Sequence, residues 1–142
     1  MCAGECFLGA RDEVPHVRKW VRATLEGQTA FPGGVSPDSL DDVELCAGEI
    51  LANAARYSDL SADAMARVSV FLIGDAESGF RAVRVECHDP GNVREHVPAL
   101  REEDAPYATY GRGLRIVAAL AARYDAFAHP DGGNVAWFEM DV

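Results

Sequence analysis

Two alternating segments joined by a tight turn restrict the fold more than any other feature of this chain. Residues 65–75, MARVSVFLIGD, put Val68, Val70 and Leu72 at every second position. Residues 80–89, FRAVRVECHD, repeat the pattern around Ala82 or Val83, Val85 and Cys87. Period-two alternation gathers such side chains on one face of a pleated strand. Asp75, Glu77, Ser78 and Gly79 supply turn chemistry between them, so the two strands are expected to form a hairpin. A second unit of this kind closes the chain, with residues 124–129 and 134–141 flanking Pro130-Asp131-Gly132-Gly133. Hairpins pair strands antiparallel, so the sheet should be mixed and mostly antiparallel.

Between these units the period changes to that of a helix. Val14, Val17, Val21 and Leu25 mark a helix over Glu13–Gly27, with Gly27 as its stop signal. After a loop bearing Pro32, Gly33, Gly34 and Pro37, Ser36 or Asp38 can cap a longer helix running to about Ser58. Val43, Ala47, Ile50, Ala54 and Tyr57 are its apolar stripe. Leu114, Val117, Ala118 and Ala121 indicate a third helix over Leu114–Arg123, and ECFLGA (5–10) a short first strand. Residues 90–112 read as a long polar loop, and such loops in small domains are usually functional or disordered. The order strand, helix, helix, hairpin, loop, helix, hairpin implies an α/β (α+β) two-layer sandwich with the helices on one face of the sheet. At 142 residues, one domain over 1–142 can bury a sufficient core without disulfides or metals.

Composition narrows function mainly by exclusion. The formal net charge of −10 disfavours nucleic acid, whose phosphates need concentrated Lys and Arg, and makes a basic protein surface the better-matched partner. No apolar run nears the roughly 18 residues of a membrane helix, and the first residues lack a basic start followed by an apolar stretch. A cytoplasmic location is therefore expected, with no membrane partner. Cys46 and Cys87 fall inside a helix and a strand and read as small buried hydrophobes. His16, His88, His96 and His129 have no metal-ligand spacing, and Ser58 has no nearby histidine to activate it. Walker, nucleophile-elbow and Rossmann patterns are absent from the sequence.

Three short constellations remain. Glu49 and Asn53 lie four apart, one turn along one helical face, and Arg56 continues that face. A carboxamide oxygen is a hard ligand suited to Mg²⁺, and a carboxylate one turn away can orient or deprotonate an attacking hydroxyl. On spacing alone, a polar helix edge facing solvent is the more frequent arrangement. His88-Asp89-Pro90-Gly91-Asn92 ends a strand, where Asp89 can accept from an exocyclic amine and Gly91 lets a ligand approach the backbone. The same residue types also build tight turns. Gly111-Arg112-Gly113-Leu114 opens a helix whose free amides attract anions, with Arg112 as a phosphate contact. Glycines are nevertheless common at helix starts.

Their order and spacing together are more specific. An acidic residue four before an asparagine within LCAGEILANAARYS, then Asp-x-Gly at a strand end, then G-x-G-L opening a helix, resembles the Bergerat-fold ATPase superfamily. The compact length, the leading helix and the ending GGNVAWFEM look closest to bacterial anti-sigma-factor serine/threonine kinases. The resemblance covers about residues 10–142. It implies ATP and Mg²⁺ as ligands, Asn53 as the magnesium-binding asparagine, Glu49 as the general base and Asp89 as the partner of the adenine amine. It implies Gly91 as the first glycine box, Gly111 and Gly113 as the second leading into Leu114, and nucleotide contacts for Arg56 and Arg112. The implied partners are a phosphorylatable antagonist protein and a sigma factor. Related regulators often pair, so a homodimer is also expected. One departure stands out: Val93 occupies the usual second glycine of the first box, which keeps open a non-catalytic protein-binding regulator with a vestigial or purely conformational nucleotide site.

Overall fold

The computed structural model describes residues 1–91 and 114–142. The chain runs through β1 (Cys2–Leu8), a 3-10 turn (Arg11–Glu13), α1 (Val14–Glu26), α2 (Pro37–Tyr57), β2 (Ala66–Asp75) and β3 (Phe80–Asp89). A helical stretch over 114–120 leads to β4 (Arg123–Ala128) and β5 (Asn134–Asp141). The five strands lie in the order β1-β2-β3-β5-β4, and every neighbouring pair is antiparallel. The sheet expected as mixed, mostly antiparallel is thus wholly antiparallel among the described residues.

The β2–β3 hairpin sets the register on which the rest is built, pairing Val70 with Val85 and Val68 with Cys87. These side chains point to one face, against Val17, Val21 and Leu25 of α1 and Val43, Ala47, Ile50, Leu51 and Ala54 of α2, all buried. Ser36 caps α2, its hydroxyl accepting from the Ser39 amide at 3.2 Å, and Pro37 fills the first turn where its missing N–H costs nothing. At 21 residues α2 is about 31 Å long, enough to cross the sheet. Arg22 ties α1 to α2 through Asp41 at 2.7 Å and Glu44 at 3.2 Å.

The opposite sheet face has no helix upon it among the described residues and is covered by charge. Arg84 bonds Glu86 and Glu139, while Arg123 bonds Glu139 and Asp141. The Arg84 guanidinium also lies 3.9 Å from the Trp137 ring centre. Burial alone would raise the Glu86 and Glu139 carboxyls; the hydrogen bonds from His88 and Arg84, and from Arg123 and Arg84, outweigh it and hold both below the ordinary carboxylate value.

Two boundaries differ from expectation. The first strand spans Cys2–Leu8 rather than 5–10, because its start is recruited by β2: Cys2 pairs with Phe71, and the Met1 ammonium donates to the Leu72 carbonyl at 3.0 Å. The helix expected to reach Arg123 stops at 120. There the Ala122 amide turns to the Glu139 carbonyl and Arg123 begins an edge strand, so sheet pairing overrides alanine's helix propensity. Ala118, expected in the apolar stripe, is exposed, whereas Val117 is buried. No helix among the described residues is long and apolar enough to cross a membrane.

Candidate nucleotide site

A cleft opens between α2 and the ends of β3 and β5. Its apolar walls are Ile50 and Ala54 from the helix and Cys87, Val135 and Ala136 from the sheet; Asn53, Tyr57, Asp89 and Asn134 add polar groups. The enclosed space is only about 10 Å³, room for about one water molecule and far below the volume of a ligand pocket. Asn53 and Asp89, far apart in sequence, therefore face one hollow.

Asp89 is the best-anchored group in it. Its Oδ1 accepts from the Gly91 amide at 2.8 Å, the Ser58 hydroxyl at 3.0 Å and the Asn134 carboxamide at 3.1 Å. These donors come from three places: the turn after β3, the end of α2 and the start of β5. Asn134 arrives there because β3 and β5 pair Asp89 with Asn134 directly. Gly91 takes φ +77, and its carbonyl accepts from the Asp59 amide at 3.1 Å, with the Ser58 hydroxyl also 3.1 Å away. Gly133 packs so tightly that a Cβ there would stand 2.0 Å from the Asp89 carbonyl oxygen. A carboxylate oxygen with this many donors is fixed in direction.

Asn53 behaves in the opposite way. It lines the cleft, and its carboxamide makes no hydrogen bond to any described residue. Glu49, one turn earlier and half-buried, likewise has no hydrogen-bond or ion-pair partner among the described residues, but it does not line the cleft itself. Arg56 is exposed and lies outside the lining. Leu114, half-buried, begins the helical stretch 114–120. Gly111, Arg112, Gly113 and Val93 lie outside the described residues. Cys87 is inert wall: burial first, then the neighbouring Asp89 charge, pushes its thiol far above the usual range, so it stays protonated. Cys46 is pushed up to about 12, chiefly by burial.

The donor set fits magnesium held largely by a ligand rather than by a protein cage. Among the described residues no group of three or more His, Cys, Asp or Glu side chains is placed to hold a metal. A single unpartnered amide oxygen beside a cleft is what an ion that keeps waters and phosphate oxygens requires. A wider hollow at the other end of the sheet, lined by Phe31, Leu72, Phe80 and Arg81 among others, has its main polar group already engaged. Arg81 donates to the Pro32 and Gly34 carbonyls at 2.9 and 2.6 Å and stacks 4.6 Å from the Phe31 ring centre.

Two partners of Asp89 carry little sequence signal: Ser58 lies just past the helix with no nearby histidine, and Asn134 sits directly after Gly132-Gly133, where it looks like turn chemistry. Only the β3–β5 register exposes its role.

A helix-backed antiparallel sheet with a cleft between its long second helix and one strand end defines an ATPase-type α+β domain. The chain belongs to the histidine kinase-like ATPase domain family, whose model matches residues 10–140. No curated protein matches the chain.

Proposed function

We propose that this protein binds ATP with Mg²⁺ in the α2–β3–β5 cleft and transfers the γ-phosphate to a serine or threonine of an antagonist protein, while also sequestering a sigma factor. The observation carrying this reading is the shared cleft: an anchored carboxylate at the strand end and an amide without a described partner on the helix side. Asp89 accepts the adenine amine, the apolar walls cover the base, and Asn53 would offer its carboxamide oxygen to Mg²⁺. When bound there, the ion would neutralise phosphate charge. Glu49 accepts the proton of the incoming hydroxyl as its oxygen bonds to the γ-phosphorus. The bond from that phosphorus to the β,γ-bridging oxygen breaks, and ADP leaves with the electron pair. Such transfers need positioning and charge stabilisation above all. Gly111, Arg112 and Gly113 are assigned to the phosphates, Leu114 to the helix that follows them, and Arg56 to the cleft mouth. The acidic chain suits a basic partner surface; a cytoplasmic setting and a homodimeric assembly belong to the same proposal.

The test is direct. Incubated with ATP, Mg²⁺ and its antagonist, the wild-type protein should transfer phosphate, and Glu49→Ala should abolish transfer while retaining nucleotide. Undiminished transfer by Glu49→Ala removes Glu49 as the base. A second reading, a non-catalytic regulator, is favoured by Val93 in the first glycine box and by Glu49 standing outside the cleft lining. Calorimetric titration separates the two: absence of ATP affinity at millimolar concentration leaves only the second.

A further inference from the structure

β4 is the last strand of the sheet, so one of its edges meets no other strand among the described residues. The His129 amide donates to the Gly133 carbonyl at 3.0 Å, which sets the phase of the β4–β5 ladder. Alternation then turns the backbone groups of Arg123, Asp125 and Phe127 toward β5 and those of Tyr124, Ala126 and Ala128 outward. Tyr124 and Phe127 on this strand are 44% and 45% exposed. An open edge flanked by exposed aromatic rings is a template for a further strand. Its middle amide is nevertheless occupied: the Ala126 N–H donates to Oδ1 of the Asp125 carboxylate at 2.8 Å.

We propose that the outer edge of β4 is a pairing surface for a second copy of this chain, and that the Asp125 carboxylate keeps it closed by holding the Ala126 amide. The self-complementary register is antiparallel about Ala126. In it the Ala126 residues of the two copies would exchange N–H···O bonds, and Tyr124 would face Ala128 of the other copy. A methyl side chain then stands on the two-fold axis, and each tyrosine ring meets an alanine. The same register sets Asp125 opposite Phe127 of the other copy, where the carboxylate would lose its amide donor and gain only a ring. Asp125 thus opposes pairing twice, by occupying the donor and by facing an apolar partner. The assignment is independent of the nucleotide reading, and it directs any dimer of the wild-type chain to another surface.

Gel filtration with light scattering, run on the full chain over a concentration series, reads the association. Asp125→Ala should raise the mass about twofold over wild type at the upper concentrations, the step that a two-fold axis produces. Amides of Tyr124 and Ala128 in that variant should gain protection from hydrogen exchange as concentration rises. Adding Ala126→Pro to Asp125→Ala should return the mass to that of wild type, because proline has no amide to exchange and the lost N–H faces away from β5. Asp131→Ala removes an equal charge from the adjoining turn, where the side chain is 93% exposed, and should leave the mass unchanged. If Asp125→Ala keeps the wild-type mass throughout, or if the proline does not reverse its association, the assignment is overturned. A doubling with Asp131→Ala overturns it as well, since weaker charge repulsion would then suffice. Asp125→Thr provides the same comparison should the alanine protein fail to fold.

Discussion

The two faces of the sheet treat polar groups in opposite ways although the same strands build both. On the back face, Arg84, Glu86, Arg123, Glu139 and Asp141 satisfy one another around Trp137. At the cleft, Asn53 and the carbonyl of Asn134 have no partner among the described residues. Alternation makes this possible, since neighbouring residues of β3 and β5 point to opposite sides: Glu86 and His88 outward, Cys87 into the cleft wall. The back face resembles a closed account of charges that stabilises the fold. The cleft holds polar atoms open to solvent, which a ligand entering it could engage.

The sharpest way to break this contrast is Gly133→Ala. The added Cβ would collide with the Asp89 carbonyl and must also adopt φ +76, so β5 has to move away from β3. A stability loss of roughly 2–3 kcal/mol is expected in urea denaturation, together with loss of nucleotide affinity. Next in size, Asp89→Asn removes the charged acceptor while keeping the shape. It should cost about tenfold or more in ATP affinity by calorimetry, with the fold retained.

Asn53→Ala sharpens the comparison from the other side. With no internal partner to lose, it should leave the thermal midpoint nearly unchanged and weaken ATP binding only when Mg²⁺ is present. An equal effect in the presence of chelator would place the metal elsewhere. Arg84→Ala should show the converse pattern, costing about 1 kcal/mol of stability with nucleotide affinity intact, as expected for partly exposed ion pairs. The smallest effect is on acid stability. Glu86 and Glu139 have folded values held below the ordinary 4.5, so they bind protons more weakly in the folded chain than in the unfolded one. Their contribution is complete above 4.5 and is lost as pH falls through the lower folded values. Denaturation curves across that acid window should show stability falling in wild type and a shallower fall in Glu139→Gln.

Much of the architecture is legible in local pattern. The stripes Val17, Val21, Leu25 and Val43, Ala47, Ile50, Ala54 are buried as their spacing requires, and both hairpins form where turn chemistry places them. The end of the third helix is not legible, because Ala121 and Ala122 suit a helix locally and only pairing with β5 stops it. The site divides along the same line. Asp89 and Asn53 are readable because their motifs are contiguous. Asn134 and Ser58 are not, since their function arises from a strand register and a helix end that bring residues dozens of positions apart to one carboxylate oxygen.

The length of α2 carries a further consequence. Asn53 precedes the last helical residue, Tyr57, by four positions, about 6 Å along the axis, and the next residue, Ser58, is bonded to Asp89. The helix thereby acts as a gauge: the separation between the two ends of the cleft is set by rigid backbone rather than by adaptable side chains. Under the proposed function, a bare nucleoside would engage one end and leave the other idle. Any ligand that reaches both Asn53 and Asp89 must match a span set by a single helix.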